Sequence, residues 1–71
     1  MQEKNFSNFE IEKLTPREQQ IAGYLDQALR YKEIASNLNL SIETVRKHVH
    51  NIYRKLNVQS RTEAINKLYQ R

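Results

Sequence analysis

Residues 31–56 read YKEIASNLNLSIETVRKHVHNIYRKL, two apolar rhythms of helical period split by a short polar break. In the first rhythm Ile34, Ala35 and Leu38 fall three and four residues apart, which predicts a short helix over about 31–38 with one apolar face. Asn39 interrupts it, Leu40 can plug the turn, and Ser41 is a good N-cap for a second helix. The second rhythm runs through Val45, Val49, Ile52 and Leu56, a longer helix closed by Asn57, one of the few residues besides glycine that tolerates a left-handed cap. A short helix, a tight turn and a longer amphipathic helix make a helix-turn-helix.

The flanks supply two further helices. Upstream, Thr15-Pro16-Arg17-Glu18 is a start signal: Thr15 can accept from the Glu18 amide, Pro16 sits where its missing N–H costs nothing, and Glu18 can reach back. Ile21, Ala22, Leu25, Ala28 and Leu29 then form a core stripe that runs out around Ala28. Downstream, Ser60-Arg61-Thr62-Glu63 is a second capping box, opening a helix to about Tyr69 with Ala64, Ile65 and Leu68 inward. With one Gly, one Pro and no alternating β-branched run, the expected fold is all-α, four helices joined by short turns. Residues 1–13, with Phe6 and Phe9 among mixed charges, are expected to be a leader or linker, and residues 14–71 the folded domain.

A chain of 71 residues is near the lower limit for one unaided hydrophobic core. The absence of cysteine excludes disulfides and thiolate zinc sites, so packing carries the fold. No apolar run approaches a membrane span, and the acidic, polar start does not resemble a signal peptide; a cytoplasmic, nucleoid-associated protein is expected. The formal charge of +4 is concentrated in the second half: residues 1–40 carry −1 and residues 41–71 carry +5. A basic block on one element is the electrostatic footprint of a phosphate-backbone binder.

The third helix shows where that block points. Advancing about 100° per residue from Val45, the apolar Val49, Ile52 and Leu56 stay within roughly 40° of it, while Arg46, His50, Glu43, Arg54 and Lys47 fall at about 100–200°. A helix with this face fits the major groove, where Arg and Lys donate to guanine and Glu43 can accept from cytosine. Arg46, Lys47 and His50, on this outward face, are expected to read bases, and Lys32, Thr44, Arg54 and Arg61 to position the phosphate backbone. His48, on the shoulder of the apolar stripe, is either a packed histidine or a phosphate contact, and Tyr53 either packs at the core edge or touches a phosphate. Metal binding by His48 and His50 is not expected, because residues two apart on a helix diverge by about 200°. No nucleophile, base and orienter can be assembled, and there is no glycine-rich phosphate loop, which excludes an enzyme.

Five segments in order, Leu14-Thr15-Pro16-Arg17-Glu18, Lys32-Glu33-Ile34-Ala35, Thr44-Val45-Arg46-Lys47-His48-Val49, Arg54-Lys55-Leu56-Asn57-Val58 and Ser60-Arg61-Thr62-Glu63-Ala64, resemble the LuxR/GerE-type helix-turn-helix. That family supplies the output domain of many bacterial response regulators. The resemblance implies a four-helix fold, transcription-factor activity, no cofactor, and symmetric pairing on two DNA half-sites. It points to the same three groove positions, Arg46, Lys47 and His50, and to a dimer contact on the face of the fourth helix shared by Thr62, Asn66 and Tyr69. The expected partners are double-stranded DNA, a second copy of the chain that pairs on DNA and only weakly when free, and RNA polymerase. Ala28 stands where the family usually has Gly, Arg30-Tyr31 where Ser or Thr followed by Asn is common, and Asn57 where Gly is common. The second helix is therefore expected to start without the usual side-chain cap, with Arg30 and Tyr31 able to gain contacts at the DNA backbone. Two other readings are a sigma-factor-like promoter-binding region, which lacks the capped fourth helix, and a helical protein-binding adaptor, against which the basic face argues. The chain is expected to be either a free-standing regulator or the output domain of a longer protein.

Overall fold

In the computed structural model, which describes residues 9–69, everything packs around the 15-residue helix Ile42–Leu56 (α3, with α1 Pro16–Asp26, α2 Tyr31–Leu38 and α4 Arg61–Tyr69). Its stripe of Val45, Val49, Ile52 and Leu56 is buried throughout and meets Ile21, Ala22 and Leu25 of α1, Ile34 and Ala35 of α2, and Ala64 and Leu68 of α4. Helices α1, α2 and α4 all contact α3, and α1 also contacts α4. Each fully buried Ile, Leu or Val here stabilises the fold by about 1.5–3 kcal/mol. Among the described residues there is no strand, and the all-α, four-helix architecture is the one expected from the sequence.

At each of the four α-helix starts a side chain takes a backbone amide. Thr15 Oγ1 accepts from Glu18 N at 3.1 Å while Glu18 Oε1 accepts from Thr15 N at 2.9 Å, the reciprocal box the sequence announces. Ser41 Oγ accepts from Thr44 N at 3.0 Å. Ser60 Oγ accepts from Glu63 N at 3.2 Å, but the Glu63 carboxylate reaches past Ser60 to Gln59 N at 2.8 Å. The expected lack of a cap on α2 is half right: Arg30 has no side-chain acceptor, yet Glu33 Oε1 takes the Arg30 amide at 2.7 Å.

The ends of α1, α2 and α3 share one construction. Ala28, Asn39 and Asn57 are left-handed, with φ of 67°, 60° and 59°, and the next residue in each case donates to the carbonyl five positions back. These bonds are Leu29 to Tyr24 at 3.1 Å, Leu40 to Ala35 at 2.9 Å and Val58 to Tyr53 at 2.9 Å. This is the Schellman closure, and its apolar residue packs on the core in all three. The assignment of Ala28 to the core stripe is thereby corrected. Helix α1 stops at Asp26, and Ala28 is exposed because it reverses the chain. Ile65, expected to face inward with Ala64 and Leu68, is half-buried, while those two are buried.

Upstream of α1, a turn of 3-10 helix at Ile11–Lys13 packs Ile11 against the core, and Gln19 Nε2 donates to the carbonyls of Ile11 and Leu14 at 3.1 Å each. Phe9 is 71% exposed and does not dock; Phe6, the rest of the expected leader up to residue 8, and Arg71 lie outside the described residues.

An ion pair joins the first helix to the third. Glu18 is 4% exposed, and its Oε1 receives the Lys55 ammonium at 2.7 Å in addition to the Thr15 amide. Burial works against the charged carboxylate, but the Lys55 ammonium and the Thr15 donors outweigh it and hold the Glu18 carboxyl below its ordinary value of 4.5.

A depressed folded-state pKa means that the pair's contribution is fully present above the unfolded value and is lost as pH falls through the folded one. In thermal unfolding, Glu18→Gln should cost about 1.5–3 kcal/mol at neutral pH, toward the lower end because the Lys55 side chain is 34% exposed and can rehydrate. The margin over the variant should stay level near neutrality and shrink as pH is lowered below 4.5. A margin independent of pH would show that the charge of Glu18 contributes nothing. At the other end of α1, Ala28→Gly should raise stability by up to about 1 kcal/mol, because glycine occupies the left-handed region without a Cβ penalty. Equal or lower stability of that variant in urea unfolding would show that any strain at Ala28 is no larger than the entropy glycine adds to the disordered chain.

Candidate nucleic-acid interface

Packing fixes which face of α3 remains outside. On one flank Lys55 is tied to Glu18 of α1; on the other, Tyr53 packs at the core edge beside α2 and α4. Between these flanks Glu43, Arg46, Lys47, His50 and Arg54 are all exposed, along the length of the helix. The structure thus brings the three expected base readers and one expected backbone contact, Arg54, onto one surface. Arg54 Nη2 donates to Asn51 Oδ1 at 3.3 Å, one turn back, which leaves most of its guanidinium facing out.

The remaining expected contacts lie around that surface. Thr44 is half-buried; its hydroxyl accepts from Ser41 Oγ at 2.9 Å, so its own proton remains available to an outside acceptor. Lys32 is exposed on the first turn of α2. Arg61 is half-buried, and its Nη2 donates to the Leu29 carbonyl at 3.0 Å, closing the turn between α1 and α2. His48 is half-buried, consistent with its shoulder position.

Charge counted along the sequence overstates what projects. Lys55 is held by Glu18, and Lys67 Nζ donates to the Leu56 carbonyl at 2.8 Å, where an ammonium also complements the negative end of α3. The outward cations of α3 are Arg46, Lys47 and Arg54.

Two aromatic residues, Tyr31 and Tyr53, stand at one edge of this surface, Tyr53 at the core edge as one of its two expected readings has it. Arg46 and Arg61 each bring their guanidinium carbon to 6.0 Å from the centre of the Tyr31 ring. The Tyr53 hydroxyl sits beside Tyr31 and Arg61; burial first, then Tyr31, push its pKa up to about 12 against a smaller opposing pull from Arg61. Tyr53 therefore belongs to the edge of the core. The one signal of this cluster in the sequence is that Tyr31 departs from the family's usual residue.

On α4, Thr62 and Asn66 are exposed, whereas Tyr69 is half-buried and packs in part on the core. Among the described residues there is no group of His, Asp or Glu that could hold a metal ion, and no helix is long and apolar enough to cross a membrane.

Comparison with known proteins agrees with this geometry. Residues 12–68 match the family described as bacterial regulatory proteins, luxR family. The spore germination protein GerE of Bacillus subtilis is 42% identical over 65 residues, covering 92% of this chain and 85% of that protein. The nitrate/nitrite response regulator protein NarP of Escherichia coli is 51% identical over 51 residues, 72% of this chain but 24% of that protein. The response regulator protein VraR of Staphylococcus aureus is 44% identical over 54 residues, 76% of this chain and 26% of its own length. The chain thus spans about a quarter of the response regulators it matches and most of the germination protein. The matched region takes in all of α1, α2 and α3 and all but the last residue of α4, and the chain belongs to the luxR family of bacterial regulatory proteins, which regulate transcription by binding DNA and are not enzymes.

Proposed function

We propose that this chain recognises a specific duplex sequence by inserting α3 into the major groove. The observation that carries this reading is the exposed face of α3, with Arg46 and Lys47 in its N-terminal half, His50 just past its middle, and three helices packed against its apolar stripe. In this reading Arg46 and Lys47 donate to guanine O6 and N7 and His50 reaches a base edge one turn further on. Lys32, Thr44 and Arg54 hold phosphates, and Arg61 does so through the donors that Leu29 leaves unused. The protein acts in the bacterial cytoplasm, at the nucleoid.

Two copies pair on DNA through α4, with Thr62, Asn66 and Tyr69 at the contact. Two exposed polar side chains and a Tyr already partly committed to its own core offer little apolar area, well short of the ~1,000 Å² that durable interfaces bury. Pairing is therefore weak without DNA.

Binding-site selection from random duplexes, followed by affinity measurements at several salt concentrations, tests the groove reading. Arg46→Ala should cost about 1–3 kcal/mol on the selected site and relax preference at one base pair. Lys32→Ala should weaken selected and scrambled duplexes alike and flatten the salt slope by about 0.9. Equal losses for both variants on both duplexes would make Arg46 a phosphate ligand, and a wild-type slope of zero would overturn duplex binding altogether. Sedimentation should find a monomer when free and two copies on a duplex with half-sites about one helical turn apart. A tight dimer at micromolar concentration without DNA, or one copy per duplex at saturation, would overturn the pairing.

A further inference from the structure

Four side chains from three helices converge at one edge of the exposed face of α3. Tyr31 is the first residue of α2, Arg46 and Tyr53 lie two turns apart on α3, and Arg61 is the first residue of α4. The Tyr31 ring is their common centre, with both guanidinium carbons at 6.0 Å, the outer reach of a cation–π contact. Arg61 is fixed from behind by its 3.0 Å bond to the Leu29 carbonyl. Arg46 is exposed, and no other contact holds its guanidinium among the bonds, ion pairs and ring contacts of the described residues.

An exposed arginine has many rotamers open to it, a freedom it must give up to make a two-pronged contact with a base. A ring that already holds the guanidinium removes part of that cost, and only for orientations compatible with the ring. The ring can do this because it is itself packed in place. Tyr31 is half-buried, lies against the core, and stands beside Tyr53.

We propose that Tyr31 is a positioning residue for DNA recognition: its ring pre-orders Arg46 and so sets how strongly this chain discriminates at the base pair that Arg46 reads. The proposal rests on Arg46 reading a base, as argued above. The active element is the ring face and not the hydroxyl, so Tyr31→Phe and Tyr31→Leu separate the positioning role from a direct phosphate contact by Tyr31.

The test measures affinity for the selected duplex and for duplexes changed at the position that Arg46→Ala relaxes, for the two Tyr31 variants alone and combined with Arg46→Ala. Thermal unfolding confirms that each variant is folded. Tyr31→Leu should lower discrimination at that one position about two- to five-fold, Tyr31→Phe should retain it, and Tyr31→Leu should have no further effect on discrimination once Arg46 is Ala. In the free protein, relaxation of the Arg46 side-chain Nε–H should report faster motion in Tyr31→Leu than in wild type. Three results overturn the proposal alone: unchanged discrimination in Tyr31→Leu, a uniform loss on all duplexes, or a loss in Tyr31→Phe equal to that in Tyr31→Leu. If Arg46→Ala itself leaves base preference intact, the reading of Arg46 fails and the positioning role falls with it.

Discussion

The carboxylate of Glu18 is the constraint on which the arrangement depends. It closes the N-terminal box of α1 through the Thr15 amide and, with the same oxygen, takes the Lys55 ammonium from the last turn of α3. A helix held only by Val45, Val49, Ile52 and Leu56 could roll by some tens of degrees without losing much apolar contact, because hydrophobic burial is not directional. A 2.7 Å ion pair on its flank ties that side of α3 to α1 and opposes such a roll. On the opposite flank Tyr53 meets Tyr31 and Arg61. The outward face of α3 is therefore defined by what grips its two sides as much as by the core beneath it.

Economy of charge follows from the same arrangement. A small domain has few residues to spare, and several of its cations serve the fold: Lys55 on Glu18, Lys67 on the last carbonyl of α3, Arg61 on the turn after α1. These three point inward or along the surface, and the ones left on α3 are the ones placed for a ligand. Each inward cation also removes an orphaned carbonyl or an unpaired carboxylate that burial would penalise.

Most of the architecture was legible in the residues because each local signal agreed with its neighbours. Thr15-Pro16-Arg17-Glu18, Ser41 and Ser60 mark starts, the apolar spacing marks one face per helix, and Asn39 and Asn57 mark ends. What escaped were contacts whose partners are far apart in sequence. The Lys55–Glu18 pair spans 37 residues and the Arg61–Leu29 bond 32, so no pattern of spacing could show that these cations were already engaged. Ala28 was misassigned for a different reason: its position fits the apolar stripe, and nothing about an alanine announces a positive φ. The outward face of α3 was legible because a helix that buries one stripe exposes its opposite. How Tyr31 serves Arg46 was not, because an aromatic at a helix start carries no directional signal.

The three helix ends turn through Ala28, Asn39 and Asn57, and the chain's one glycine, Gly23, lies inside α1. Turns built without glycine restrict the disordered chain, which lowers the entropy lost on folding and offsets part of the strain held at Ala28. They also restrict the folded one. With no glycine at these helix ends and an apolar side chain packed on the core just after each, hinge motion between helices is opposed at each of them. On the groove-binding reading proposed above, such a domain meets the duplex close to its free shape, and the adaptation needed for a fit falls on the long side chains of α3 and on the bending of the duplex.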